Sequence, residues 1–279
     1  MDDSAAQPDS RRSGLEADCA QCFGLCCVAL SFKASAQFAF DKNAGEPCRN
    51  LLADFGCGIH STLRSNGLRG CTEYTCYGAG QKVAQVTFAG KDWRRWPGTA
   101  ASMFQVFGEM SVMHETLWFL AEAVERCPDG SDRDELIATF DRIEQLTLLA
   151  ADEIRGGVSD ADCTTAIELL GKVSALIRSS SRPEPAAART REVSRIGADM
   201  RGADLAYADL AAAVLIGADL TGANLTGADL MNADLRAAKL HGADLSDALF
   251  LTQAQVGAAL GDASTVLSAP LRIPAHWTD

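Results

Sequence analysis

Eight of the ten cysteines in this 279-residue chain lie between Cys19 and Cys76. Cys19, Cys22, Cys26, Cys27, Cys48, Cys57, Cys71 and Cys76 are the residues whose type and spacing carry chemistry, and all eight are expected as metal ligands. A thiolate is the ligating form, and the gap in Cys19-Ala-Gln-Cys22 lets both sulfurs turn toward one ion or cluster. No second Cys-x-x-Cys follows, so an ordinary zinc ribbon does not fit. Adjacent Cys26 and Cys27 do not easily share one mononuclear ion, which leaves two centres or a multi-iron cluster. The cofactor is therefore either an iron-sulfur cluster or zinc, and the aromatic surroundings, such as Phe23, Phe32 and Tyr74, would wall either one. The alternatives for the segment are a disulfide knot or a group of buried thiols. Arg11 and Arg12 are followed by no apolar stretch of the kind a secretory signal needs, so the expected location is cytoplasmic. In that reducing compartment dense cysteine points to metal or redox chemistry ahead of disulfides.

The order Cys19-x-x-Cys22-x-x-x-Cys26-Cys27, then Pro47-Cys48-x-x-Leu51 and Cys57-Gly-Ile-His60, resembles the YkgJ-type cysteine-cluster family over about residues 19 to 76. The resemblance implies a zinc- or iron-chelating segment. The family's last cysteine usually follows Arg-Pro-x-x, whereas Cys71 here follows Asn66-Gly-Leu-Arg-Gly, and Cys76 is additional. His60 is either a further ligand or a structural residue at a helix start. Elsewhere no nucleophile-base pair, phosphate loop or paired-carboxylate motif stands out, so enzymatic activity is left open. Gly78-Ala-Gly80-Gln lacks the third glycine and the preceding apolar strand of a dinucleotide fingerprint and reads as a turn. His114 and Glu115 read as core or surface residues of a helix.

A net charge of -12 without clustered Lys and Arg argues against binding nucleic acid or an anionic membrane surface. No apolar run approaches the roughly 18 residues of a membrane span. The helical spacing of Met103, Phe107, Met110, Leu117, Leu120 and Val124 predicts a first long helix that stops at Cys127-Pro128. Ser131 with Asp134 resembles a capping box opening a second helix, whose stripe runs from Leu136 through Leu149 to Ile154. A third, capped by Ser159 to Asp162, buries Cys163, Ile167, Leu170, Val173 and Ile177. Both Cys127 and Cys163 read as small core residues.

Beyond a Ser-, Pro- and Ala-rich stretch, an apolar residue recurs every five positions from Met200 through Leu225 to Phe250, each preceded two residues earlier by Ala. In a helix a period of five spirals around the axis, and on a flat strand it flips face each time. A chain that turns a corner every five residues satisfies the pattern, with Gly222, Gly227, Asn232 and Asp247 among the corner residues. The repeat Ala-(Asp/Asn)-Leu-x-x resembles the pentapeptide-repeat family. That resemblance implies a right-handed quadrilateral β-helix with four repeats per coil, about 14 Å long at ordinary strand spacing, in which Ala and Leu point inward. Val214, Lys239 and Leu249 stand where Asp or Asn is usual, so irregular corners are expected there, and Trp277 is a plausible plug for the coil's end. His241 is expected to point outward into solvent.

The fold class expected is a multidomain α+β chain. It comprises a flexible terminus (1–18), a Cys-rich metal-binding domain (19–95), a helical domain (96–179), a linker (180–195), the repeat β-helix (196–252) and a terminal cap (253–279). The expected function is a metal-binding protein whose coil surface docks a protein partner. The alternatives are an iron-sulfur redox enzyme or sensor and, on the acidity of the repeats, a gyrase-interacting mimic of DNA.

Overall fold

A computed structural model describes residues 10–157, 160–181 and 195–278 of the chain. It divides into two compact units, Met1–Gly67 with Thr75–Gly171 and Leu68–Tyr74 with Lys172–Asp279. The helices are α1 (Leu25–Ala29), α2 (Arg69–Glu73), α3 (Ala79–Gln81, running into a π-helical turn Lys82–Thr87), α4 (Ala100–Arg126), α5 (Ser131–Leu146), α6 (Ala151–Ile154), α7 (Asp160–Ser181) and α8 (Gln253–Ala258). Two parallel strands pair, β1 (Asp244–Leu245) with β2 (Val266–Leu267).

In the first unit the cysteine segment and the helices share one core built on α4. Met103, Phe107, Met110, Met113, Leu117 and Leu120 are buried along it, because the apolar positions recur at three and four residues and form one stripe. α4 packs against α1, α5 and α6. Residues 10–15, expected to be loose, instead form a 3-10 turn, and Arg12 anchors it by an ion pair to the nearly buried Glu122 at 3.2 Å and by stacking over Trp118. Residues 1–9 lie outside the described residues.

Two details of the helices correct the expectations. The second helix breaks between Thr147 and Ala150, with Ala150 in extended backbone, and resumes as α6. Its N-cap is Gly130 with no side-chain cap bond, so Ser131 and Asp134 do not form the capping box. In α7 the buried stripe is Cys163, Ala166, Leu170, Val173 and Ser174, while Ile167 is 50% exposed, since the stripe steps by three rather than four after Cys163. The expected cap residue Ser159 and the linker positions 182–194 lie outside the described residues, and Ser180 and Ser181 extend α7.

The second unit holds the repeats. Asp199 bridges Asp219, Asp204 bridges Asn224, Asp209 bridges Asp229 and Val214 bridges Asp234, all in parallel and twenty residues apart. Each coil therefore contains four five-residue sides. Leu205 donates its N–H to the Asn224 carbonyl at 2.8 Å and Leu225 to Asp244 at 2.7 Å, so the coils are laced by backbone bonds. Ala208, Leu210, Ala223, Leu225, Ala228 and Leu230 are buried inside. The sides meet as single-residue bridges, and among the described residues only β1 and β2 lengthen into strands. Five residues per side leave too little extended chain for more, once the corner is turned. Val214, Lys239 and Leu249 keep the register at their expected irregular corners, because the pairing is made by backbone and not by the side chain. His241 is partly buried on an outer position. Trp277 is 6% exposed and seats against the far end of this core, donating from Nε1 to the Ala259 carbonyl at 3.1 Å.

Candidate functional site

The cysteine segment of the first unit has little regular structure, so side chains hold it. Asp18 caps the 3-10 turn Cys19–Gln21 through the Ala20 N–H at 3.0 Å. Gln81 receives the Asp18 N–H and donates to the Glu16 carbonyl, at 2.8 and 2.7 Å, while Gln85 donates to Gln21 at 2.7 Å. Trp93 Nε1 donates to the Phe23 carbonyl at 2.9 Å. Gly24 then opens α1 at φ +65°, where an added Cβ would lie 2.7 Å from a Leu51 methyl. A glycine is required there on both counts.

This framework carries seven of the eight cysteines expected as ligands. Cys22 Sγ accepts the N–H of Leu25 at 3.4 Å and also that of Gly24. Cys26 and Cys27 Sγ are 3.9 Å apart. Cys48 donates its N–H to the Cys27 carbonyl at 2.9 Å, and Cys57 bridges Leu51 in antiparallel fashion. Cys22 and Cys76 both face Gly80, whose missing Cβ would lie 2.6 and 3.7 Å from their sulfurs. Cys71 lies on α2, among the residues of the second unit, and is exposed. His60 is exposed on a 3-10 turn. All ten cysteines are described and none is in a disulfide. Cys127 and Cys163 are buried, as expected.

Electrostatics differ across the set. Burial pushes the Cys22 thiol up to about 12 against the two N–H groups that favour its thiolate. Burial also raises Cys19 and Cys57. The hydrogen bond that Cys26 shares with Cys27, together with burial, raises the Cys26 thiol. The same shared bond, with Lys42 nearby, lowers Cys27 to about 7. A cation bound here would invert this pattern, since coordination deprotonates a thiol outright.

Among the described residues no three His, Cys, Asp or Glu side chains stand close enough together to hold a metal ion. The donors nevertheless suit a thiophilic cation, being sulfurs with backbone N–H groups aimed at them.

Sequence reasoning missed Lys42, which is 4% exposed and donates from Nζ to the carbonyls of Val28, Asn43 and Glu46. No spacing signal marks it. Gly80 was legible only as part of a turn. His114 is 3% exposed, with Nδ1 2.7 Å from the Tyr77 carbonyl, and burial lowers its pKa to about 4.

The second unit offers a different surface. α7 covers the coil side that carries Asp209 and Asp229. Ser174 donates to Asp229 at 2.5 Å, and Arg178 reaches Asp209 at 3.3 Å and the Tyr207 carbonyl at 3.3 Å. Two other sides remain open, with Arg201, Asn224 and Lys239 exposed. Among the described residues no helix is long and apolar enough to cross a membrane.

Comparison with known proteins agrees with this geometry. The family described as pentapeptide repeats matches residues 196–230 and 213–250, with 8 copies. "Uncharacterized protein YybG" of Bacillus subtilis (strain 168) is 55% identical over 270 residues, 96% of this chain and 97% of that protein. No solved structure matches the chain.

Proposed function

Since this chain belongs to the same family as YybG and carries pentapeptide repeats in its second unit, we propose that it is a scaffold protein whose repeat coil, read as the right-handed quadrilateral β-helix of its repeat family, docks a protein partner. The observation that carries this is the laced coil itself. Its parallel bridges fix outward side chains at inter-strand spacing on sides that α7 leaves open. A surface that rigid presents a pattern to a partner without an ordering cost at binding. The test places a photo-crosslinking residue at Arg201, Asn224 or Lys239 in cells and at Leu148 of the first unit as a control. One adduct of the same mass from the three coil positions and none from Leu148 supports docking; no adduct from any coil position overturns it.

The seven cysteines that the sequence places in the first unit motivate a second reading, that this unit binds a thiophilic metal, as zinc or as an iron-sulfur cluster. Either would be held by cysteines of the 19–76 segment and would supply local rigidity, and a cluster would add one-electron redox chemistry. Metal analysis with an ultraviolet-visible spectrum on protein purified without oxygen distinguishes the forms. Iron with sulfide and absorption near about 400 nm supports the redox enzyme or sensor. Stoichiometric zinc in colourless protein supports a structural site, and protein free of both metals after anaerobic reconstitution overturns the metal reading.

A further inference from the structure

Cys26 and Cys27 are neighbours in space as well as in sequence, with their Sγ atoms 3.9 Å apart and both side chains partly exposed. They lie inside α1, a helix of five residues. So short a helix draws little stability from its own hydrogen bonds and is held by packing, here through the buried Leu25 and Val28. A second stretch of backbone is fastened to the same turn. The Gly45 N–H and the Lys42 Nζ donate to the Val28 carbonyl at 2.8 and 3.2 Å, and the Cys48 N–H donates to the Cys27 carbonyl at 2.9 Å. Lys42 is buried, so losing the Val28 carbonyl would leave one of its donors unmet.

Two neighbouring thiols make one exchange reaction available. One of the pair, as thiolate, attacks a low-molecular-weight disulfide RSSR, forming a protein S–SR bond and releasing the first RS⁻. The other, as thiolate, then attacks the protein sulfur of that bond, so the protein S–S bond forms as the second RS⁻ leaves. The two protons given up by the thiols end on the two leaving groups, the protein dithiol is oxidised by two electrons and RSSR is reduced to two RSH. A trans peptide holds adjacent Cα atoms about 3.8 Å apart, short of the roughly 4.4 Å or more that a relaxed disulfide spans. Adjacent side chains also leave a helix about 100° apart. The bond therefore closes only when the dihedrals of Cys26 and Cys27 depart from helical values. That departure breaks the Cys27 N–H bond to the Gly24 carbonyl and turns the Cys27 and Val28 carbonyls away from their donors. The resulting strain leaves the disulfide readily reduced again.

We propose that Cys26 and Cys27 are a reversible thiol-oxidation site, which closes to a vicinal disulfide on reaction with a low-molecular-weight disulfide and thereby releases the 42–48 segment from α1. Neither step requires a bound metal, and a metal held by these sulfurs would block both.

Oxidised glutathione, added to the reduced full-length chain in the presence of a metal chelator, tests this. Two thiols per chain should be lost and two equivalents of reduced glutathione released, with none retained on the protein. Alkylation of the remaining thiols, followed by peptide fragmentation, should leave Cys26 and Cys27 unlabelled and Cys19, Cys22, Cys48 and Cys57 labelled. In the oxidised protein, amide exchange at Gly45 and Cys48 should accelerate by about tenfold, the equivalent of one lost backbone hydrogen bond. It should return to its starting rate on reduction and stay unchanged throughout at Leu117 and Leu120 of α4. No thiol lost, glutathione retained on Cys26 or Cys27, or a different pair such as Cys22 and Cys76 oxidised first overturns the site. A Cys26–Cys27 bond formed with exchange at Gly45 and Cys48 unchanged overturns the release of the segment.

Discussion

His114 Nδ1 lies 2.7 Å from the Tyr77 carbonyl oxygen, which makes Nδ1 the protonated nitrogen and leaves Nε2 buried without a hydrogen-bond partner. A carbonyl can only accept, so the tautomer follows from the partner. The bond pins a chain reversal, for Tyr77 at φ +47° and Gly78 at φ +84° are successive left-handed residues directly after Cys76. A histidine on α4 thereby positions the last cysteine of the segment.

Burial, reinforced by Lys82 and opposed by the Tyr77 bond, lowers the His114 pKa from 6.5 to about 4. The folded value lies below the unfolded one, so the neutral form is what the fold stabilises. Its contribution is complete above about pH 6.5 and is lost as pH falls toward about 4, amounting to about 2 kcal/mol by pH 5. Urea denaturation at pH 7.5 and pH 5 should show this loss. His114→Gln, which can still donate to Tyr77, should lose less stability over the same interval. Equal losses in the two proteins would mean that His114 is not the titrating group.

Two coil corners make a contrast. Gly222 at φ +66° has nothing within 4 Å of an added Cβ, whereas at Gly227, φ +63°, that atom would sit 2.4 Å from the Tyr207 ring. Asn232 occupies the same corner position at φ +56°, so Asn can adopt the backbone. Gly222→Asn should change stability by less than about 1 kcal/mol, and Gly227→Asn should cost several times more. Adding Tyr207→Ala should recover most of the second loss. If the double variant is no better than Gly227→Asn alone, the ring is not the obstacle.

How far the sequence reaches is visible at the same corners. Leu225 and Ala223 are inward because a five-residue period admits no other common face, and the structure buries both. The identity of the covered side does not follow from that period, since all four sides read alike. Asp229 looks like any other corner carboxylate yet is 2% exposed beneath α7. A weak signal existed in Ala206, Ala211 and Met231, which replace polar residues and are buried. In the cysteine segment the thiols and their spacing were legible but their neighbours were not. Lys42 and Gly80 are brought in by turns whose closure depends on distant partners such as Gln81 and Trp93.

The covered side gives a prediction of opposite sign to that of His114. Burial raises the Asp229 pKa, while the bond from Ser174 opposes the rise. With the folded value above the unfolded one, stability is complete at low pH and declines as pH rises through the folded value. Asp229→Asn should therefore gain on the unmodified protein between pH 4 and pH 7. Ser174→Ala should lose about 1 to 3 kcal/mol at pH 7, because the carboxylate is left buried without that donor. A stability difference between Asp229→Asn and the unmodified protein that is the same at both pH values would remove Asp229 from the account.

Trp277 closes the coil, and the consequence of removing it should be graded along the axis. Its ring lies against Gly261, where an added Cβ would be 2.6 Å away, and it shares the core with Leu251, Val256 and Ala259. Without it the last coil exposes apolar side chains at an open end, while the first coil keeps all its neighbours. In a stacked repeat each coil draws stability chiefly from those adjacent to it. Trp277→Ala should therefore cost about 3 to 5 kcal/mol, and amide exchange should rise most at Leu240 and Leu245, less at Leu220 and Leu225, and least at Leu205. Uniform acceleration across the five would mean that the coil opens as one cooperative block and that Trp277 stabilises the whole of it.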